Sequence, residues 1–366
     1  GLFFSFSHSL LPEAAVQIGI IGVKFTGKTT LFNVITGAGL PTGQGGVDPH
    51  LAVGKVPDPR LDRLTGMFNP KRTVHATVEW VDIPGFQGGV GTDGAREGTR
   101  FLEHGRKVDA MAQVIRCFDG GYGAPDPAGE LETMALELAL ADLQIVENRL
   151  EKLEKEKARM GKVANPLEPP MMERFREQLE NDRPLRDLEL NPDEVRLSSG
   201  YAFLTLKPMI VVFNHEEGGE APADVVAAAR KAGAETVSLC ASVEEELAEL
   251  DPAEAAEFLA DMGVEEPALN RMIRASYGAL DLQSFFTVGE DECRAWAVRR
   301  GSVAPVAAGV IHSDLQRGFI RAEVTAYDDL IAAGSMAAAK QANHVRLEGK
   351  GYEVQDGDIL EIRFSV

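Results

Sequence analysis

The first strong apolar run, Val16, Ile18, Ile20 and Ile21, passes directly into Gly22-x-x-x-x-Gly27-Lys28-Thr29. Leu31, Phe32, Val34 and Ile35 then recur at helical spacing, so the stretch predicts a buried strand, a glycine turn and a helix. Residues 37–59 are rich in Gly and Pro without apolar period, which predicts a mobile loop. Val74 to Val81 alternates as a strand does and ends in Asp82-Ile83-Pro84-Gly85, and Asp109 to Cys117 predicts another core strand. From Leu131 the period changes: Leu136, Leu143, Val146, Leu150 and Leu153 follow seven-, three-, four- and three-residue steps among Glu, Lys and Arg. That is a long amphipathic helix with coiled-coil character. Gly161 and the prolines at 166, 169 and 170 break it, and a shorter helix carrying Met172, Phe175 and Leu179 should return antiparallel. Such a hairpin either braces the core as a solvated pair or serves as a partner-docking arm.

Met209 to Phe213 is an unbroken apolar strand of the kind buried in parallel sheets, and it ends in Asn214-His215-Glu216-Glu217. A helix over 223–232, a strand over 236–240, Ala241-Ser242 and an acidic helix follow. Beyond Asp281 the texture shifts to short strands at 283–288, 293–298, 319–325 and 359–364, with helices at 304–309 and 327–332. The chain therefore divides into an N-terminal extension (1–16), an α/β domain (17–128 and 204–280), a helical insertion (129–203) and a C-terminal α+β domain (281–366).

With 366 residues, 44% hydrophobic and 26% charged, the composition is that of a soluble globular protein of two or three domains. Its longest apolar runs, such as 208–213, are far too short to cross a bilayer, so no membrane partner is expected. Residues 1–12 are apolar without a basic start and read as an extension rather than a signal sequence. The three cysteines, Cys117, Cys240 and Cys293, are widely spaced and read as free thiols of a reducing cytoplasm. A net charge of −20 argues against gripping DNA or RNA by bulk electrostatics. Any RNA contact needs a local patch, and Arg294, Arg299, Arg300, Arg317 and Arg321 could supply one.

The glycine turn carries the candidate chemistry. Gly22 and Gly27 permit backbone angles that aim successive N–H groups inward at phosphate oxygens, and the following helix adds the positive end of its dipole. Phosphate contacts are expected from Gly22, Lys24, Phe25, Thr26, Gly27, Lys28, Thr29 and Thr30, with Gly85 meeting the outermost phosphate. Lys28 would stabilise phosphate charge, while the Thr29 hydroxyl and Asp82 would hold Mg²⁺. Gly88 to Gly98 would form a second nucleotide-sensing loop. Strand, Asn-x-x-acid, helix, strand and a small polar loop is the order that builds a GTPase-like base pocket, here Asn214, His215, Glu217, Cys240, Ala241 and Ser242. Aspartate would make two charge-assisted bonds to guanine, worth roughly 1.5–3 kcal/mol each. Glu217, one methylene longer, misplaces them and argues against strict GTP specificity.

Over residues 17–366 the chain resembles the Obg-like ATPases, the YchF family of translation-factor-class P-loop NTPases. The resemblance rests on Val56-Pro-Asp-Pro-Arg-Leu-Asp62, Val78 to Gly85, Glu132 to Glu154 and Asn214-x-x-Glu217. It is strongest at Ser284-Phe-Phe-Thr-Val-Gly-Glu290, Arg294-Ala-Trp296, Ala307-Ala-Gly-Val-Ile-His312, Gln316 to Val324 and Gln355-Asp-Gly-Asp358. It implies a GTPase-like core, a helical coiled-coil insertion and a C-terminal β-grasp (TGS) domain. It also implies Mg²⁺, ATP accepted at least as well as GTP, and association with the ribosome or its large subunit in the cytoplasm. The residue after Asp-x-x-Gly is Phe86, as in the family, where related GTPases place a water-orienting glutamine, so hydrolysis is expected to be slow; Gln87 is one position out. The chain departs from the family at Phe25-Thr26-Gly27-Lys28-Thr29, where Asn-Val-Gly-Lys-Ser is usual, which speaks against K⁺ activation. It departs again at Gly45 to His50, where Gly46 stands in place of a Mg²⁺-binding threonine with Thr42 out of register, and at Gln113, often histidine. A slow ATPase switch is the leading expectation. A conventional GTPase, or a nucleotide-binding scaffold with negligible hydrolysis, are the alternatives.

Overall fold

A computed structural model describes residues 16–42, 48–85, 92–121 and 123–365, with only the backbone described for 92–97 and 252. The expectations at 1–15, Gly45, Gly46, Val47, Phe86, Gln87 and 88–91 lie outside the described residues. The chain falls into two compact units: Gly1–Ala52 with Glu79–Met272, and Val53–Val78 with Ile273–Val366.

The elements up to β4 run β1 (Gln17–Ile21), α1 (Lys28–Thr36), β2 (His50–Lys55), α2 (Pro59–Phe68), β3 (Arg72–Val74) and β4 (Thr77–Asp82). Next come α3 (Thr92–Gly105), β5 (Ala110–Cys117), α4 (Pro127–Met160), α5 (Glu168–Glu180), α6 (Pro192–Ser199) and β6 (Met209–His215). Then follow α7 (Ala223–Lys231), β7 (Glu235–Leu239), α8 (Ala241–Glu249), α9 (Pro252–Asp261) and α10 (Ala268–Ala279). The sheet of the first unit has the order β2-β4-β1-β5-β6-β7. β1 pairs in parallel with both β4 and β5, and β6 with both β5 and β7. β5 and β6 are buried along nearly their whole length, as strands covered on both faces must be. β2 lies within the stretch expected to be a loop.

The helical insertion is held by Val146, Leu150 and Leu153 of α4 packed on Met171, Met172, Phe175 and Leu179 of α5. α4 ends where Gly161 takes φ +73 and donates its N–H to the Lys157 carbonyl. Across the hairpin Arg149 donates to both oxygens of Glu168, at 2.7 and 2.6 Å, and the Tyr201 hydroxyl donates to the same carboxylate. One expectation is corrected: Leu136, assigned to the apolar stripe, is 51% exposed. The buried positions of α4 run instead through Met134, Leu138, Asp142, Val146, Leu150 and Leu153. Its first half packs on the sheet's hydrophobic cluster and only its second half on α5, so no single heptad seam runs its length.

The second unit adds β8 (Leu282–Thr287), β9 (Glu292–Arg299), α11 (Ala304–Ile311), α12 (Ser313–Arg317), β10 (Phe319–Ala326), α13 (Tyr327–Ala333), α14 (Met336–Gln341), β11 (Val345–Glu348) and β12 (Asp358–Phe364). Its mixed sheet has the order β11-β10-β12-β8-β9-β3, with Phe285, Val298, Ala307, Phe319, Val324 and Leu360 in its core. Residues 53–78, expected in the nucleotide-binding domain, are grouped here. The reason lies in two contacts distant in sequence: β3 runs parallel to β9, and Arg60 of α2 donates to both oxygens of Asp356, at 3.0 and 3.1 Å.

Candidate functional site

β1 ends at Ile21, and the chain turns at Gly22 with φ +146, where a Cβ would lie 2.5 Å from the Val114 carbonyl. At Gly27 the φ is +90 and a Cβ would lie 2.4 Å from the Asn214 amide, so this position also admits only glycine. Gly27 is the N-cap of α1 and no side chain caps the helix, which leaves its first N–H groups aimed outward for an anion. Lys24, Phe25, Gly27, Lys28, Thr29 and Thr30 line one cavity of about 140 Å³ together with Asp82 and Gly85. Leu40, Pro41, Thr42, His50 and Pro84 complete it. Gly85 sits over the lysine: a Cβ there would be 2.8 Å from Lys28 Nζ.

Lys28 is buried and donates from Nζ to the Val23 carbonyl at 2.6 Å. Burial pushes its pKa down to about 8, against the opposing pull of Asp82 and Glu130. Thr29 donates its hydroxyl to Asp82 Oδ2 at 2.8 Å. Burial raises the Asp82 carboxyl above its ordinary range, while Thr29, Lys28 and His50 act to lower it. Glu130, in the first turn of α4, receives the Arg116 backbone N–H at 3.0 Å and is likewise raised, chiefly by burial. The cavity therefore joins a desolvated cation to a hydroxyl–carboxylate pair. Among the described residues no group of three His, Cys, Asp or Glu converges. A cation here would take one carboxylate, one hydroxyl and oxygens of its ligand and water, a set that suits Mg²⁺.

Not every expected residue faces this cavity. Thr26 is wholly buried, its hydroxyl bonded back to the Val23 carbonyl at 3.2 Å. Asn214, expected at the base, is also buried, with both ends of its amide engaged. Nδ2 donates to the Thr26 carbonyl and Oδ1 accepts from the Ala241 N–H, each at 2.9 Å. It ties the phosphate loop to Ala241 at the start of α8, using one of its two amide N–H groups. Cys240, the N-cap of α8, has its Sγ 3.2 Å from Ser242 Oγ in the first turn of that helix. Glu217 is exposed. His215 bonds the Glu216 carbonyl at 2.8 Å and lines a separate open groove with Arg230 and Arg271. Gln113 donates to the Glu130 carbonyl at 3.2 Å.

The sequence reading missed His50, Pro84 and Glu130. Pro84 lies inside Asp82-Ile83-Pro84-Gly85 and His50 inside the Gly/Pro-rich run of 37–59, but neither pattern assigns them a role; the placement of β2 brings His50 beside Asp82. Thr42, read as out of register, does line the cavity.

Comparison with known proteins places this geometry in context. The family model YchF-GTPase_C, described as a protein of unknown function (DUF933), matches residues 282–365. The chain is 43% identical over 362 residues to the ribosome-binding ATPase YchF of Pasteurella multocida, covering 96% of this chain and 99% of that protein. It is 41% identical to the protein of the same name from Bacillus subtilis, covering 96% and 100%. With Obg-like ATPase 1 of Oryza sativa it shares 35%, covering 96% and 92%. The solved structure of the Schizosaccharomyces pombe YchF GTPase aligns with a TM-score of 0.84 at 31% identity, covering 96% of this chain and 99% of that one.

Proposed function

The chain belongs to the YchF family, and from that premise we infer that it is a ribosome-associated P-loop ATPase that works as a slow nucleotide switch. The observation that carries this reading is the convergence of Lys28, Thr29, Asp82 and Gly85 on one cavity at an uncapped helix N-terminus. Lys28 and the N–H groups of residues 27–30 neutralise the phosphate chain, and Gly85 leaves room for the lysine to reach the outer phosphate. Thr29 and Asp82 would hold Mg²⁺, which when bound would neutralise charge on the outer phosphates. Asn214 ties the phosphate loop to Ala241 with one amide N–H, and base recognition falls to its other amide N–H together with His215, Glu217 and residues 240–242. With Glu217 in the place of aspartate, ATP is accepted at least as well as GTP.

The ribosomal contact is carried over from relatives named as ribosome-binding ATPases, and RNA binding through the C-terminal unit would be one form of it. There Arg300 lies 3.7 Å from Asp281, Arg317 pairs with Asp314, and Arg294 lies over Trp296 with its guanidinium carbon 3.8 Å from the ring centroid. Arg299 and Arg321 would therefore carry an RNA contact. The experiment is a titration with labelled ATP and GTP, with and without ribosomes, reading affinity and phosphate release together. Tight ATP binding with ribosome-dependent release supports the reading. Tight binding without release above background selects a scaffold, and absence of binding sinks both.

A further inference from the structure

The phosphate loop carries one residue that its phosphate role does not explain. Phe25 has φ +66, the left-handed region that L side chains avoid, although glycines stand nearby at 22 and 27. The residue is 44% exposed, and it lines the same cavity as Lys28 and Thr29. A strained backbone that presents an apolar ring to solvent at the edge of a binding cavity is a reason to look for a ligand contact.

The route of a nucleotide through the site says which part of the ligand meets the ring. The phosphates belong with the N–H groups of residues 27–30 and with Lys28. The base belongs with the loops that follow β6 and β7. Asn214, near the end of β6, bonds both Thr26, the immediate neighbour of Phe25, and Ala241, which follows β7. A nucleotide that spans from the phosphate cavity to these loops passes over residues 25 and 26, with its sugar between. We propose that Phe25 is a specificity-determining contact to the nucleoside portion of the ligand, its ring packing on the sugar and covering the inner phosphate from water. The proposal rests on the nucleotide reading given above, and it moves Phe25 from the phosphate set to the nucleoside set.

The test compares two ligands on four proteins. ATP and inorganic tripolyphosphate are titrated, by competition against a fluorescent nucleotide, into wild type, Phe25→Gly, Phe25→Tyr and Lys28→Ala. Glycine accepts φ +66 without strain, so the loop keeps its course while the ring is lost. The expected result is a loss of about tenfold in ATP affinity for Phe25→Gly, the scale of one partly buried aromatic contact, with tripolyphosphate unchanged within about twofold. Phe25→Tyr should restore the ATP affinity. Equal weakening of both ligands would make the residue a matter of loop geometry and overturn the proposal, as would an unchanged ATP affinity. Lys28→Ala separates this from the underlying reading: if that variant still binds both ligands, the phosphate site itself is misassigned.

Discussion

Asn214 donates its side-chain amide to the carbonyl of Thr26 at 2.9 Å, across 188 residues of sequence. With the Ala241 N–H on its other end, a single side chain sets how far the base-side loop stands from the phosphate loop. Asn214→Leu leaves a buried carbonyl and a buried N–H without partners, so stability should fall by about 2–4 kcal/mol. Nucleotide affinity should fall with it by about tenfold or more. Urea denaturation and calorimetric titration check the two separately; an affinity equal to wild type would show that the tie is only structural.

Thr29 and Asp82 share a hydrogen bond that Mg²⁺ would replace. In wild type, removing Mg²⁺ with EDTA should weaken ATP binding. In Thr29→Val and Asp82→Asn that difference should shrink to nearly nothing, while Lys28→Ala should lose binding in either condition. Equilibrium dialysis with and without the metal reads this directly, and an undiminished Mg²⁺ effect in both variants would place the cation elsewhere.

Gly85 admits no side chain without moving Lys28. A Cβ there would stand 2.8 Å from Nζ and 3.1 Å from the Lys24 backbone. Gly85→Ala should therefore leave the fold intact and lower ATP affinity and turnover by about tenfold, because the lysine is displaced rather than removed. Thermal melting and single-turnover phosphate release measure the two halves of this expectation.

The pH response of the helical hairpin follows from Glu168. Hydrogen bonds from Arg149, opposed by burial, hold its carboxyl below the ordinary 4.5. A group lowered in the folded state contributes stability above about 4.5, and that contribution disappears as pH falls through the lower folded value. Glu168→Gln should cost about 3 kcal/mol near pH 7, by leaving Arg149 without its carboxylate, and should flatten the loss of stability below pH 4.5. Helix content followed through denaturation between pH 7 and pH 3 decides it.

Much of this was legible in the sequence because it is local. The glycine turn, the parallel strands β5 and β6 and the long helix α4 are each encoded within a few consecutive residues. What was not legible depends on distant partners. Residues 53–78 look like part of the nucleotide domain until Arg60 is seen on Asp356, 296 residues away. The motif places Asn214 at the end of β6 but does not reveal that the same amide also ties Thr26 to Ala241. His50 and Thr42 carry no motif of their own, and their place in the cavity follows from how the chain re-enters the sheet at β2. In α4 a heptad-like run hid a change of packing partner halfway along, which left Leu136 exposed.

The pairing of β3 with β9 sets a limit on how the C-terminal unit can be isolated. A fragment spanning only 282–365 would lack the strand that covers Glu292 to Arg294, and β9 would become a bare edge with unpaired N–H and carbonyl groups. It would also lack Arg60, and with it the guanidinium bonds on Asp356. Such a piece invites self-association through that edge, so binding measured on it would mix true recognition with strand addition. Fusing residues 53–78 back onto it by a short linker would close the edge and give a fairer probe of what this unit recognises.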